Sequence, residues 1–336
     1  MKEEEVNKCQ IQEWYPIFKS TSIKTIIHKL PEPFIHYLLD DSGPFLLPLS
    51  ISNNDALPNR IIKPEDEEDH IISEQHTSDN ESNQTPPSPP SFPELESQIN
   101  QSIKTLGGAI FPKLNWSSPK DSAWISTNSS LKCTSFSEIA LLLKSSDSLV
   151  HDLCHAYDSC SDCNIHRPAR FFLAPRKWYP DLQPEREFRV FIRNNVLVGI
   201  SQREATTFYP ILTEKKHDLE KVTDEFYTDK VSMGFESESY TFDVYVRKDM
   251  KVKLLDFNPW CEVTLPLLFT WAELESEQLM REPEFRIVES RRGVRPGLKT
   301  AVPYDYLDTS EGSGWDRLFR NADEELRRQT RSAGGC

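Results

Sequence analysis

Two oxygen-bearing side chains, Asp256 and Asn258, stand two positions apart at the end of the apolar run KVKLLDFNPW, residues 251–260. Side chains along a strand alternate faces, so here both would point the same way, about 7 Å apart. Upstream, the β-branched and aromatic run YTFDVYV (residues 240–246) carries a carboxylate, Asp243, where an apolar residue is expected. If the two runs are adjacent antiparallel strands, Asp243, Asp256 and Asn258 share one face. Hard oxygen donors of this kind, few and beside open positions, suit Mg²⁺ held jointly by protein and nucleotide phosphates. The competing reading is a pair of strand-end acids facing solvent, with Asn258-Pro259 as turn chemistry.

A second chemical signal is the loop FPKLNWSSPKDSAW, residues 111–124, which puts Lys113 at a strand end and follows it with small polar residues. A lysine so placed reaches a phosphate as a point charge, while Ser117, Ser118 and nearby amides supply donors. The glycines of a Walker loop are missing. A lone lysine is more commonly a solvated one. Charged residues then flank a strand-to-strand connection: Arg176 and Lys177 in FFLAPRKW, Glu187 and Arg189 in EFRVFI. Alternation puts Glu187 and Arg189 on one face, opposite Phe188 and Val190. Arg203, in GISQRE, ends the neighbouring strand. Taken one at a time, these charges also read as surface ion pairs.

The elements that must position these groups are legible in outline. Residues 14–50 suggest a small strand, a helix around Pro33 to Leu39 and another strand. In PELESQINQSIKTLGGAI, Leu95, Ile99, Ile103 and Leu106 recur at helical spacing, and Gly107-Gly108 ends the helix. A strand over Ala109 to Leu114 and another over Ala123 to Ser126 precede a helix whose N-cap is Ser135 in Ser135-Phe136-Ser137-Glu138. Beyond it the chain is strand-rich: ARFFLAPRKW, then EFRVFIRNNVLVGISQR as a hairpin turning at Asn194-Asn195, then the two carboxylate-bearing strands.

Composition bounds the rest. With 336 residues the chain can hold one large domain or two average ones. Its 53 acidic against 39 basic residues give a formal charge of −14, which argues against direct nucleic-acid or membrane-surface binding and favours a basic protein partner. The start MKEEEVNKCQ has no apolar h-region and no later run is long enough to span a bilayer, so a cytoplasmic protein with mostly reduced thiols is expected. Residues 52–93, rich in Ser, Asn, Pro and acids, lack the apolar groups to offset their ordering entropy and read as a disordered insertion. In HDLCHAYDSCSDCNIH, residues 151–166, Cys160 and Cys163 form a C-x-x-C near Cys154, His151, His155 and His166. Without a second well-spaced pair this is a weak zinc signal, and a polar loop with reduced thiols is expected.

Taken together, FPKLNWSSPKDSAWI, LAPRKW, EFRVFI, VGISQR and LLDFNPW resemble the motifs of the cell division cycle protein 123 family, also called D123, over most of the chain outside the insertion and the far C-terminus. The resemblance implies an α+β, ATP-grasp-like fold of two lobes with mainly antiparallel sheets and flanking helices, holding ATP and Mg²⁺ between them. The first lobe would comprise residues 1–51 and 94–165, the second 166–275, and residues 276–336 a partly flexible C-terminal extension. Lys113 would match the phosphate-binding lysine, with Asn115, Trp116, Ser117 and Ser118 in its loop. Arg176, Lys177 and Trp178 would match the segment near the adenine, Glu187, Arg189 and Arg203 would lie at the nucleotide, and Asp243, Asp256 and Asn258 would be the Mg²⁺ ligands. The family implies a monomeric assembly chaperone for eukaryotic translation initiation factor 2 that binds its gamma subunit. An ATP-grasp ligase, joining a carboxylate to an amine through an acylphosphate, would use the same residues plus an acceptor pocket that no sequence feature marks. One departure is Pro175, where the family pattern has a leucine: it lacks an N–H, so a neighbouring amide would have to bond adenine.

Overall fold

A computed structural model of the chain describes residues 1–42, 45–49 and 89–290. The insertion expected over 52–93, apart from 89–93, and the C-terminal extension beyond residue 290 lie outside the described residues. Two short helices open the chain, α1 (Glu3–Lys8) and α2 (Ile11–Phe18). The first lobe follows with β1 (His28–Lys29), α3 (Glu32–Leu39), α4 (Pro93–Leu106), β2 (Ile110–Lys113), α5 (Phe136–Lys144), α6 (Asp147–Cys154) and β3 (Phe172–Lys177). Its three strands run antiparallel in the order β1-β3-β2, with Phe111 opposite Arg176 and Lys113 opposite Ala174. One face of this sheet buries Ile110 and Leu173 among Phe34, Ile99, Phe136 and Leu149 of the helices. The other face carries Lys113 and Arg176 and looks toward the second lobe.

The second lobe contains β4 (Glu187–Arg193), β5 (Val196–Gln202), α7 (Pro210–Phe226), β6 (Tyr240–Val246), β7 (Val252–Pro259), α8 (Trp271–Leu274), α9 (Glu277–Arg281) and β8 (Glu284–Arg286). The sheet order is β7-β6-β4-β5-β8, antiparallel except for β8 against β5. The sheet thus takes in Glu284–Arg286, beyond the 275 boundary expected for this lobe. Its inner face buries Phe188, Val190, Phe242, Val244, Leu254 and Phe257 against α2 and α7. Trp14 meets Phe257 edge to face at 5.5 Å, and Phe235 stacks on it at 3.9 Å. The α+β class and the pair of lobes with mainly antiparallel sheets agree with expectation.

Local chemistry accounts for the ends that matter. Gly107 takes φ 103° and Gly108 φ 87°, and the Gly108 amide bonds the Ile103 carbonyl, closing α4 just before β2 begins. Asn194 and Asn195 both take positive φ in the β4/β5 hairpin, as a two-residue turn matched to strand twist requires. Ser135 caps α5 by accepting from the Glu138 amide.

Two expectations are corrected, and one helix is added. Ala123–Ile125 is a 3₁₀ turn rather than part of a strand: Ser122 and Ser126 turn their hydroxyls onto Pro119 and Ala123 carbonyls, which competes with extended pairing. In residues 14–50 the described chain has helix through Phe18, only the two-residue β1 before α3, and no strand after it. Helix α7 was not expected at all. Its buried Leu212, Leu219, Thr223 and Phe226 are too sparse in a charged stretch to show a periodic stripe.

Candidate functional site between the lobes

The sheet of the second lobe presents one polar row on its outer face. In register across β7, β6, β4 and β5 stand Asp256, Asp243, Arg189 and Ser201. Asn258 and Thr241 form the adjacent row. A bulge between Asp243 and Val244 sets this arrangement. Val244 pairs with Leu254, so without the extra residue Asp243 would face Leu255, and Asp256 would turn into the apolar core. Glu187 lies on the same face one step along β4, and the Arg203 amide extends the hairpin by bonding its carbonyl at 2.9 Å.

Asp243 is buried between two guanidinium groups. Arg189 donates Nε to Oδ1 at 2.8 Å and Nη2 to Oδ2 at 2.9 Å, while Arg203 Nε lies 3.1 Å from Oδ2. Burial would raise this carboxyl, yet Arg189 and Arg203 hold it well below the usual carboxylate range. Glu187, with weaker partners, is pushed up by burial against the pull of Lys120 and Arg203. Arg189 also donates to the Leu265 carbonyl at 2.8 Å, fixing the loop after β7 beside the row.

From the first lobe, Lys113 reaches across. It is 1% exposed, which excludes the solvated reading, and its Nζ donates to Asp256 Oδ2 at 2.7 Å and to the Trp116 carbonyl. Arg176 shares its face. It is 3% exposed, stacked over the Trp14 and Phe111 rings, and its Nε and Nη2 find no acceptor. A buried guanidinium with unmet donors is costly unless an anion completes it. Its placement beside Lys113 and Asp256 is on the acidic side of the cleft rather than out along the Lys177–Trp178 segment.

The other sequence-derived residues are dispersed. Asn115 is fully buried and spends its amide on Gln10, the Arg170 carbonyl and the Phe172 amide. Trp116 donates its indole N–H to the Val6 carbonyl and packs on Tyr157. Ser117 bonds Asp152, and the Ser118 carbonyl accepts from the Lys120 amide. Lys177 points to the opposite face from Arg176, over the Tyr179 ring, and Trp178 leans on Phe111. The Lys177 and Trp178 amides donate to the Lys24 and Ala109 carbonyls. A base contact from either amide therefore has to displace a backbone bond.

Sequence reasoning missed Lys120 and Asp152. Lys120 lies close enough to Arg203 to be pulled down to about 8 by that like charge and by burial. The only sequence signal for it was its place in the same Ser-Pro-Lys loop.

The donor set fits Mg²⁺. Two carboxylates and an amide stand on one face, the Nδ2 of Asn258 is buried without a partner, and Asp243, both of whose oxygens are bonded by Arg189, would offer a metal only its remaining lone pairs. Among the described residues no three His, Cys, Asp or Glu side chains gather as a metal centre, so a divalent ion here needs phosphate oxygens as well. The same absence covers residues 151–166, where His155 and His166 both bond Asp158, at 2.8 and 2.6 Å, and all described cysteines are free thiols.

Comparison with known proteins agrees with the motifs. The chain is 38% identical over 329 residues to a translation initiation factor eIF2 assembly protein of Xenopus tropicalis, covering 95% of this chain and 96% of the relative. It is 35% identical to the protein of that description from Schizosaccharomyces pombe, covering 95% and 98% of the two chains. The solved structure of Cdc123 from Schizosaccharomyces pombe superposes with a TM-score of 0.66 at 33% identity, over 85% of this chain and 97% of that one. The D123 family pattern matches residues 14–310, and the chain belongs to the D123 family.

Proposed function

We propose that the chain binds ATP with Mg²⁺ between its lobes and, so loaded, binds the gamma subunit of eukaryotic translation initiation factor 2 and promotes assembly of the heterotrimer in the cytoplasm. The observation that carries the nucleotide half is the unpartnered, buried Arg176 beside Lys113, facing Asp256 across the cleft. Lys113, Arg176 and Arg203 meet the phosphates. Asp243, Asp256 and Asn258 hold Mg²⁺, which neutralises phosphate charge and ties it to the second lobe. Lys113 and Arg203, which now bond Asp256 and Asp243, would be the groups that turn to phosphate, leaving Asp256 Oδ2 and a share of Asp243 Oδ2 for a metal. The end of β3 at Trp178, on the face that Phe111 and Arg176 share, receives the base.

The partner half rests on relatives described as eIF2 assembly proteins over nearly their whole lengths. A net charge of −14 favours a basic protein surface over nucleic acid. Among the described residues no helix is long and apolar enough to cross a membrane. In this reading ATP is a conformational ligand of a monomeric chaperone rather than the substrate of a ligase.

The test uses Asp256→Ala together with Asp256→Asn, which keeps an acceptor for Lys113. Both variants should lose Mg-ATP binding in calorimetry and fail to support heterotrimer assembly, while the Asn variant keeps wild-type circular dichroism. Unchanged Mg-ATP affinity sinks the metal assignment. Gamma-subunit binding no tighter than that of an unrelated protein of equal acidity sinks the partner assignment.

A further inference from the structure

Asp152 sits on α6 against the 114–122 loop and is only 5% exposed. Both its oxygens are spent on the loop, where the Trp116 amide also bonds the carboxylate. Oδ2 accepts from the Ser117 amide at 2.8 Å and Oδ1 from the Ser117 hydroxyl at 3.0 Å. The loop returns the contact with a carboxylate of its own. Asp121 accepts from the Ser146 hydroxyl at 2.6 Å and from the Ser148 amide and hydroxyl, each at 2.9 Å, at the first turn of α6. One helix therefore pins the loop at two points, and Ser118, Pro119 and Lys120 lie between them.

This clasp also reaches Lys113. The Lys113 ammonium donates to the carbonyl of Trp116, the residue immediately before Ser117, and is the charged group facing Asp152 from β2. Burial pushes the Asp152 carboxyl up to about 6, against the pull of Lys113 and of the Ser117 donors. A buried acid at that expense is poor packing. Its distinctive product is a fixed loop.

We propose that Asp152 is the positioning residue of the phosphate-facing loop: with Asp121 it fixes residues 114–122 to α6 through the Ser117 donors, so that Lys113 and Lys120 are already in place when phosphates arrive. Preorganisation of this kind raises affinity by removing the ordering cost from the binding step. The inference rests on the nucleotide reading above.

The full chain carries the test, with calorimetric affinities for Mg-ATP and for adenosine measured alongside thermal unfolding. Asp152→Ala should weaken Mg-ATP about tenfold, the scale of a lost supporting contact around a bound charge, and leave adenosine nearly unchanged. Asp152→Asn, which keeps an acceptor for the Ser117 amide, should recover most of that loss. Ser117→Ala, which removes only the hydroxyl bond, should show the same split between the two ligands at smaller size, and it carries the test if the Ala variant at 152 does not fold. Equal losses for both ligands would show a merely structural acid and overturn the proposal, as would full Mg-ATP affinity in Asp152→Ala or in Ser117→Ala. Wild-type protein that binds neither ligand would overturn the nucleotide reading itself, a result distinct from either of these.

Discussion

The Asp243 carboxylate accepts from two guanidinium groups inside the second lobe, so removing it and removing a partner are unequal acts. Arg189→Met leaves a buried charge with one partial partner, and such a loss costs about 3–5 kcal/mol. Denaturant unfolding should show it, and the double variant Arg189→Met with Asp243→Leu should recover part. A single-variant loss below about 1 kcal/mol, the range of an exposed pair, would mean that the pair is effectively solvated. Asp152 and Asp243 also oppose each other in pH. The depressed Asp243 contributes stability above the unfolded carboxyl range and loses it as pH falls into acid. Asp152, raised from 3.8 to about 6, binds a proton more readily folded than unfolded, so its contribution falls as pH rises through that window. A shift of that size is worth at most about 3 kcal/mol. The melting temperature of Asp152→Asn, relative to wild type, should therefore climb between pH 4 and 7. A flat difference would show that the acid is not raised.

At the scale of elements, the C-terminus of α4 aims β2. Gly107 at φ 103° permits the tight exit that sends Ile110–Lys113 along the sheet toward Asp256. Gly107→Ala should cost about 1–2 kcal/mol, the penalty of a left-handed L-residue, read as a lower melting temperature with a shift in Lys113-dependent ligand binding. The faces of β4, β6 and β7 could be read from the chain because a period of two is a geometric necessity: alternation puts Glu187 with Arg189, and pairing puts Asp243 with Asp256 and Asn258, while the β4–β6 register that joins the two sets is seen only in the structure. What alternation does not contain is the bulge at Asp243/Val244, on which the agreement of Asp256 with Asp243 depends. Nor does it contain the Ser117 to Asp152 bonds, which join residues 35 positions apart through side chains. The burial of Lys113 was likewise invisible, since it follows from α2, β3 and β7 closing over the strand, and a lysine alone favours water. The family resemblance puts Arg176 in the segment near the adenine. Its register opposite Phe111 puts it on the sheet face that carries Lys113.

For the whole molecule, the decisive fact is that both lobes place buried charges in one cleft, with Lys113 of the first meeting Asp256 of the second. Lys113 and Arg176 come from the first sheet, Asp256 and Asp243 from the second, and the Lys113–Asp256 bond already ties them together. A bound polyanion with its cation changes that tie, because phosphate competes for the lysine and metal competes for the acids. Under the proposed function, the relative setting of the lobes would be a property that Mg-ATP selects, and a partner that grips both lobes would select it as well. Two ligands that favour one setting must help each other by the same factor in both directions. The gamma subunit of initiation factor 2 should therefore bind more tightly with Mg-ATP present, by about 5- to 150-fold, and Mg-ATP should bind more tightly by that factor when the subunit is bound. Titrations in both orders measure the two factors independently. Asp256→Asn should bring both to one, because it cuts the joint of metal, lysine and lobe at once. Equal subunit affinity with and without nucleotide would remove ATP from the assembly step and leave it a structural ligand of the chain alone.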